Sequence, residues 1–236
     1  MGRLCEGDWM TIPAIQLQGV RKEYGRVTAV DGIDLCVQPG EFVGLVGHNG
    51  AGKTTTIRML TGQLTPTSGS LTLAGVDVIS DPAAARSLLG TVPEHPDLYE
   101  YLTAREMISF VTEIRGGGDV DWALSVAGLG ADADRLIREY SQGMRRKTAL
   151  ACALVSKPPV LVLDEALNGL DPASSDRVIG VLDELRSDGA TVLLSTHVLD
   201  TLEKVADRIV LMEKGRIAVD GQVDALADVR VRLRET

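Results

Sequence analysis

Gly47-His48-Asn49-Gly50-Ala51-Gly52-Lys53-Thr54 fits the phosphate-binding loop pattern of Gly, four residues and Gly-Lys-Thr. Because glycines let the backbone curl, successive N–H groups can point inward at phosphate oxygens. Lys53 can then reach the outer phosphates, and the Thr54 hydroxyl can ligate Mg²⁺. The flanks predict a short buried strand over residues 41–46 and a helix over residues 54–61, whose positive end faces the loop. This context favours a nucleotide-binding loop over a glycine-rich turn that matches by chance.

The composition limits the classes of protein that this chain can be. Its 236 residues suit one or two domains, and 44% hydrophobic with 3% aromatic residues predicts an aliphatic core. A net charge of -9 argues against a nucleic-acid partner, because phosphate backbones require a basic surface. No apolar run approaches the ~20 residues of a membrane span. These features predict a soluble, cytoplasmic chain.

The three cysteines, Cys5, Cys36 and Cys152, are odd in number and widely separated in the sequence. They show no metal-ligand spacing. We therefore interpret them as free thiols in a reducing compartment.

Strand-like and helix-like segments alternate over most of the chain, which predicts an α/β fold with a mainly parallel sheet. Residues 14–20 and 28–37 precede the phosphate loop as an antiparallel β element. Residues 95 to about 157 interrupt the alternation and predict a helical insert. We expect a single domain over residues 14–225, with a leader at 1–13 and a short tail at 226–236.

A second group of candidate site residues follows an aliphatic strand, Val160-Leu-Val-Leu-Asp164-Glu165. Burying a carboxylate at a strand end is costly unless a cation accompanies it, and Mg²⁺ would satisfy Asp164 opposite Thr54. Glu165 is the candidate to orient and deprotonate an attacking water, since an unperturbed Glu, with a pKa near ~4.3, is ionised at neutral pH. An aliphatic strand that ends in Asp-Glu is weak evidence for such a site by itself. It becomes strong evidence when it lies downstream of a phosphate loop.

Several motifs, in order along residues 14 to 225, resemble the ATPase subunits of ATP-binding-cassette (ABC) transporters. Residues 47–54 match the Walker A loop of that family, and residues 161–165 match its Walker B strand. Tyr140-Ser-Gln-Gly-Met144 stands at its signature, and Gly169-Leu-Asp171 at its D-loop. The resemblance implies a P-loop NTPase core with the ABC ATPase fold, which binds ATP and Mg²⁺.

The resemblance also assigns roles to individual residues. It implies catalysis by Glu165 and His197, the latter as a γ-phosphate sensor, and metal binding by Thr54, Asp164 and Glu94 in the Q-loop position. Tyr24 would stack on adenine. The remaining nucleotide contacts would come from Gly47, His48, Asn49, Gly50, Ala51, Gly52, Lys53, Thr54 and Thr55, and from Ser141 and Gly143 in the signature.

Four departures from the family pattern narrow the resemblance. The signature keeps only Ser141 and Gly143 of Leu-Ser-Gly-Gly-Gln, Lys147 follows it where Arg is common, and Glu94 replaces Gln. Ala166-Leu167 replaces the usual residues after Walker B. Similar variants occur in the branch that exports drugs, lipids and polysaccharides, so the resemblance favours an exporter.

The signature predicts a dimer. Ser141 precedes a helix over residues 142–155, so its hydroxyl and the free N–H groups can meet an anion. In the family this anion is the γ-phosphate held by a second cassette, in a homodimer or a heterodimer. The alternative is that Ser141 only caps its helix. Arg145-Arg146-Lys147 is interpreted as a solvated helix start.

The resulting hypothesis is an ATP-hydrolysing subunit, peripheral on the inner face of the cell membrane, that drives export through a separate permease chain. One alternative is a soluble ABC ATPase that acts on a macromolecular complex. Another is a kinase or GTPase with a phosphate loop, although no guanine-reading Asn-Lys-x-Asp is present.

Overall fold

The computed structural model describes residues 11–234, which form two β-sheets and eight α-helices. The strands are β1 (Ile15–Tyr24), β2 (Val27–Val37), β3 (Phe42–Val46), β4 (Ser68–Leu73), β5 (Val76–Asp77), β6 (Leu89–Val92), β7 (Val160–Asp164), β8 (Thr191–Ser195), β9 (Arg208–Glu213) and β10 (Arg216–Gln222). The helices are α1 (Lys53–Leu60), α2 (Pro82–Ser87), α3 (Ala104–Arg115), α4 (Val120–Ala127), α5 (Gln142–Leu154), α6 (Pro172–Ser187), α7 (Leu199–Val205) and α8 (Leu226–Arg234).

The larger sheet has six strands in the order β10-β9-β3-β8-β7-β6. All neighbours are parallel except β9 and β10, which form an antiparallel hairpin. The smaller sheet, β2-β1-β4-β5, is antiparallel. The predicted α/β fold with an N-terminal antiparallel element is confirmed.

The larger sheet is buried on both faces because its central strands are continuously apolar. Val160 and Val162 of β7 point into a core shared with the smaller sheet and α1. Leu161 and Leu163 point to the opposite side, into a core shared with α5, α6, α7 and α8. Since side chains alternate along a strand, β7 joins both cores and its carboxyl end is held rigidly.

The predicted helical insert consists of α3, α4 and α5, with 3-10 turns at Gly130–Asp134 and Ile137–Glu139. A capping box begins α3: Thr103 Oγ1 accepts from the Glu106 N–H at 3.1 Å, and the Glu106 carboxylate accepts from the Thr103 N–H at 2.8 Å. Helix α5 contributes Leu150 and Leu154 to the core of the larger sheet and Ala151 to the core of the insert. The insert is therefore attached to the sheet through α5.

Three features differ from the sequence interpretation or extend it. The turn at Gly215 leads into an unforeseen strand, β10, and α8 packs Leu226 and Val229 into the core of the larger sheet. Cys36 is disulfide-bonded, so the interpretation of that residue as a free thiol is wrong, whereas Cys152 is free. Residues 1–10 of the predicted leader lie outside the described residues.

Candidate functional site

The loop after β3 has the backbone shape that its glycines predict. Gly47, Gly50 and Gly52 have φ angles of 151°, 82° and 107°, which side chains rarely tolerate. A Cβ atom on Gly47 would lie 2.4 Å from the carbonyl oxygen of Met212, and one on Gly52 would lie 2.7 Å from that of Ala29. The loop can take this course only because glycine occupies these positions.

Helix α1 opens directly from this loop, and no side chain caps its amino end. Lys53 is only 7% exposed, and its Nζ donates to the carbonyl oxygens of Gly47 at 2.6 Å and His48 at 3.4 Å. The uncapped helix end and the ammonium group both face the loop. Together they form an environment that stabilises an anion.

A cavity of about 420 Å³ lies at the phosphate loop. It is lined by His48, Asn49, Gly50, Ala51, Gly52, Lys53, Thr54 and Thr55 of the loop and α1, by Val27, Thr28 and Ala29 of β2, and by Glu94 and Glu165. The structure thus brings the predicted loop residues together with two of the predicted acids. The β2 residues were not predicted, because β2 precedes the loop in the sequence without any recognisable motif.

Tyr24, at the end of β1, lines an adjoining cavity of about 560 Å³ together with Thr54, Glu94 and Asp164. Its ring is about half exposed, and Lys22 Nζ lies 5.4 Å from the ring centroid. The exposed part of the ring leaves a flat apolar surface beside the cavity at the phosphate loop. The predicted metal ligands Thr54, Asp164 and Glu94 also meet in this cavity.

Asp164 is the last residue of β7 and is 2% exposed. Ser195 Oγ, on the register-paired residue of β8, donates to its carboxylate at 2.5 Å. No ion pair of the described residues includes Asp164. A buried carboxylate with a neutral partner and no cation suits a metal ion, since an unpaired buried charge is costly.

Glu165 follows with a left-handed φ of 49°, a conformation that costs about 1–3 kcal/mol in a non-glycine residue. Its N–H donates to the carbonyl oxygen and to Oγ of Ser195, at 3.1 and 3.0 Å. Its carboxylate contacts Asn168 Nδ2 at 2.9 Å and His197 Nδ1 at 3.1 Å. With a few hydrogen bonds contributing about 0.5–1.5 kcal/mol each, these contacts can offset the strain.

The two predicted catalytic residues, Glu165 and His197, therefore touch each other. Both line a third cavity, of about 780 Å³, with Gly47, His48, Asn49, Glu94, Asn168 and Leu233. The His197 side chain is 66% exposed, whereas that of Glu165 is 11% exposed. The buried acid and the open imidazole are arranged at the mouth of the phosphate loop.

Arg146 is half-buried, and its guanidinium donates to the carbonyl oxygens of Glu165 and Glu94, the latter at 2.6 Å. Burial lowers the pKa of Arg146, while the negative charges of Glu94 and Glu165 act against this shift. The interpretation of residues 145–147 as a solvated helix start is wrong, because all three side chains are partly buried and each has a partner in the fold. The reason is tertiary, because the first turn of α5 lies over the ends of β6 and β7.

The signature residues lie apart from these cavities. Ser141 is exposed at the amino end of α5, and its Oγ accepts from the Met144 N–H at 3.3 Å. Gly143 lies against the D-loop, where an added Cβ would approach the Gly169 carbonyl oxygen to 3.2 Å. Neither residue lines any of the three cavities at the phosphate loop.

Ser195, Asn168 and Arg146 are contacts of the site that the sequence reasoning missed. Ser195 could have been found, because it ends the strand paired with β7 at the residue opposite Asp164. Asn168 lies three residues after Glu165, a spacing at which a turn brings the two side chains together. Arg146 carried no signal that separates it from Arg145.

Most of this chain is similar to proteins of known family. The family model described as "ABC transporter" matches residues 30–168. The daunorubicin/doxorubicin resistance ATP-binding protein DrrA of Streptomyces peucetius is 38% identical over 90% of this chain and 66% of its own length. The bacitracin transport ATP-binding protein BcrA of Enterococcus faecalis is 34% identical over 90% of this chain and 70% of its own. The Nod factor export ATP-binding protein I of Paraburkholderia xenovorans is 38% identical over 90% of this chain and 72% of its own.

The chain spans about two thirds to three quarters of the length of these relatives. Among solved structures, an ATP-binding subunit of an ABC transporter superposes with a TM-score of 0.85 at 29% identity, covering 94% of this chain and 95% of the other. A dimeric ATP-binding cassette bound to ADP and Pi gives 0.82 at 23% identity over 89% and 98% of the two chains, and it supports the fold alone.

Proposed function

Because this chain belongs to the ABC transporter family, we propose that it binds and hydrolyses ATP to energise export through a separate membrane permease. The observation that carries this proposal is the meeting of the phosphate loop, Asp164, Glu165 and His197 around adjoining cavities. The family supports the ATPase activity itself. The roles of individual residues, the metal, the partner and the direction of transport are our proposals.

The triphosphate binds along the phosphate loop. Backbone N–H groups and the amino end of α1 meet its oxygens, and Lys53 exchanges its carbonyl contacts for phosphate contacts. The adenine lies towards Tyr24, whose half-exposed ring offers a stacking surface. Thr28 and Ala29 of β2 form the wall between base and phosphates.

The donor set beside the loop suits Mg²⁺, which takes oxygen ligands and usually combines one or two carboxylates with substrate phosphates. Asp164, Thr54 and Glu94 offer such oxygens in one cavity. In the described part of the chain, no three His, Cys, Asp or Glu side chains are placed to hold a metal ion together, so phosphate oxygens must complete the ligand set. When bound, Mg²⁺ supplies charge neutralisation on the phosphate oxygens.

Hydrolysis depends on Glu165. A water in the cavity at the carboxylate attacks the γ-phosphorus, the bond to the bridging oxygen of ADP breaks, and the water proton passes to Glu165. Asn168 and His197 orient the carboxylate, and the exposed imidazole of His197 is free to contact the γ-phosphate. ADP and inorganic phosphate are the products.

A second cassette completes the site. Ser141 and Gly143 lie on the surface and line no cavity of their own chain at the loop, so they serve a nucleotide held by another copy or a related cassette. The exposed amino end of α5 supplies N–H groups suited to a γ-phosphate. We propose a dimer of cassettes with two ATP molecules between them.

Export is proposed from the relatives, whose names specify daunorubicin/doxorubicin resistance, bacitracin transport and Nod factor export. None of the helices described in residues 11–234 is long and apolar enough to cross a bilayer. Because the relatives are named as ATP-binding proteins of resistance, transport and export, we place the transport path in a separate chain and this subunit on the cytoplasmic face of the membrane. No observation favours the soluble alternative acting on a macromolecular complex.

The segment before α3 carries the proposed permease contact. Tyr99 and Tyr101 are 60% and 77% exposed, so neither belongs to the core of the cassette. Tyr99 packs edge-to-face on Phe110 with ring centroids 5.7 Å apart, and Arg138 lies 5.6 Å from the Tyr101 ring. Exposed aromatic rings held by neighbours in this way are typical anchors of an interface.

The function is tested with a tagged chain expressed in its native cells. We expect a multispan membrane protein to co-purify from detergent extracts, and Tyr99→Ala with Tyr101→Ala to weaken this association about tenfold or more, as for interface anchors. ATP hydrolysis by the isolated double variant should stay within about twofold of the wild type and stop with EDTA. A matched control is Tyr24→Ala, which should weaken nucleotide binding and leave co-purification unchanged. Retained permease association in the double variant would contradict this docking surface, and a chain without ATPase activity would contradict the function.

A further inference from the structure

Arg146 joins the ends of two neighbouring strands at the candidate site. Strands β6 and β7 are parallel, with Val92 paired to Leu163. Glu94 and Glu165 each lie two residues beyond this pair, so their carbonyl groups occupy equivalent positions past the end of the ladder. The Arg146 guanidinium donates to both carbonyls, one from each strand.

The ladder itself cannot continue to these positions. Pro93, the residue after β6, has no N–H group and so cannot extend the hydrogen bonds between the strands. The two strands then separate, and the carbonyl groups of Glu94 and Glu165 beyond the break need donors from outside the ladder. A planar guanidinium with several donors in a fixed fork can reach both at once, whereas a single ammonium group lacks that geometry.

The direction of the Glu165 carboxylate depends on this backbone. The Glu165 N–H is held by Ser195, and its carbonyl accepts from the Asn168 N–H at 3.1 Å and from Arg146. Because Glu165 has a left-handed φ of 49°, its backbone would relax towards a commoner conformation if these contacts were lost. Relaxation would turn the carboxylate away from the phosphate loop.

We infer that Arg146 is a positioning residue for hydrolysis, acting through the backbones of Glu165 and Glu94. This inference rests on the proposed function, because it presumes that Glu165 is the general base. It also gives the insert a direct connection to the reacting groups. Arg146 lies five residues after Ser141, the residue that caps α5, so the helix that would meet the second cassette also holds the base.

The neighbouring cations on α5 make different contacts and provide matched controls. Arg145 pairs with Glu100 at 3.0 Å, and Lys147 pairs with Asp171 at 3.4 Å. Neither contacts Glu165 or Glu94 among the described contacts. Replacing Arg145 therefore removes the same charge from the same turn without touching the strand ends.

The experiment compares Arg146→Met, Arg146→Lys and Arg145→Met in the full chain. For Arg146→Met we expect kcat for ATP to fall about 10- to 100-fold, as for small misplacements of a reacting group, with the Kd for ATP within about twofold of the wild type. Arg146→Lys should recover part of kcat, and Arg145→Met should match the wild type. If Arg146→Met lowers the melting temperature but leaves kcat unchanged, the inference is overturned and the role is structural only.

A second measurement does not depend on turnover. Hydrogen–deuterium exchange should be faster in peptides that include the amides of Glu165 and Asn168 in Arg146→Met, and unchanged in Arg145→Met. Unchanged exchange in Arg146→Met would also overturn the inference. A failure of the proposed function is distinguishable, because the wild type would then lack ATPase activity or Glu165→Gln would retain it.

Discussion

The phosphate loop and the signature segment each lead into the amino end of a helix, yet one is enclosed and the other is open. At α1, a buried Lys53 and walls from β2 and the strand ends surround the helix end with a cavity of about 420 Å³. At α5, Ser141 is exposed and contacts only its own helix. Under the proposed function, one chain therefore supplies an enclosed phosphate site and contributes the open segment to a site in a second copy.

The same contrast appears in the charged residues. Asp164 and Glu165 lie at the ends of buried strands, and each is held by groups from β8 or the following turn. Among residues 11–234, the Ser141 side chain of the signature has one hydrogen bond, which it accepts from the Met144 N–H of the helix that it caps. The four predictions that follow, beginning with the largest effect, test whether the enclosed half performs the chemistry and the open half serves a second copy.

Replacing Glu165 by Gln should give the largest effect. The amide keeps the shape and the contact with His197 but cannot accept a proton, so kcat should fall about 10²- to 10⁴-fold, the range for general-base catalysis. Binding of ATP, measured with a fluorescent analogue, should stay within a few-fold. Near wild-type turnover in Glu165→Gln would show that another group activates the water.

Lys53→Ala tests the enclosed half by its affinity for ATP instead of its turnover. It removes the buried ammonium of the enclosed half, and a charged hydrogen bond of about 1.5–3 kcal/mol corresponds to about 10- to 100-fold weaker binding. Titration of both variants with nucleotide separates the two roles. If Lys53→Ala and Glu165→Gln lost the same amount of ATP affinity, Lys53 would not serve binding and Glu165 would not serve hydrolysis as separate roles.

Ser141→Arg tests the open half. In the Glu165→Gln protein with ATP and Mg²⁺, light scattering should show a dimer, and Ser141→Arg should raise its dissociation constant at least about tenfold, or about 1.4 kcal/mol. The arginine side chain would fill the space that the opposite γ-phosphate needs. Ser125→Arg is the control, because it places the same charge on the exposed side of α4, and it should leave the dimer intact. A dimer that survives Ser141→Arg would leave Ser141 as a helix cap only.

The smallest effect is expected from replacing Asp171, and it concerns the pH dependence of stability. Asp171 precedes α6 and contacts α5, the helix that begins at the signature. Its carboxylate caps α6, accepts from the Ser174 hydroxyl at 2.6 Å and lies 3.4 Å from Lys147 Nζ on α5. The Ser174 hydrogen bonds, and then Lys147, lower the pKa of Asp171 from 3.8 to about 2.

Because the folded state has the lower pKa, this stabilisation is present above about pH 3.8 and is lost as pH falls towards 2. Asparagine can cap the helix without a charge. The melting temperature of Asp171→Asn should therefore fall slightly less than that of the wild type as the pH is lowered from about 3.8 to about 2. Asp176→Asn, on the exposed side of the same helix, should follow the wild type. Identical curves for Asp171→Asn and the wild type would mean that the charge adds nothing to the cap.

The sequence by itself determined the α/β fold, the phosphate loop and the two acids at the carboxyl end of β7. These are local in origin: glycine tolerates the φ angles of the loop, and a strand of Val and Leu must be buried and so presents its polar end at the sheet edge. The alternation of segments then limited the sheet to a mainly parallel one. For the same reason the capping box at Thr103 could be read directly.

Only the tertiary structure decided which distant groups meet. Residues 145, 146 and 147 are three adjacent cations, yet one pairs with Glu100, one with two strand-end carbonyls and one with Asp171. Likewise β2 lines the cavity at the phosphate loop, β10 forms one edge of the larger sheet and α8 buries Val229, although none of them carries a motif. Such contacts arise from the packing of whole elements, which sets distances between residues far apart in the chain and leaves no local pattern to read.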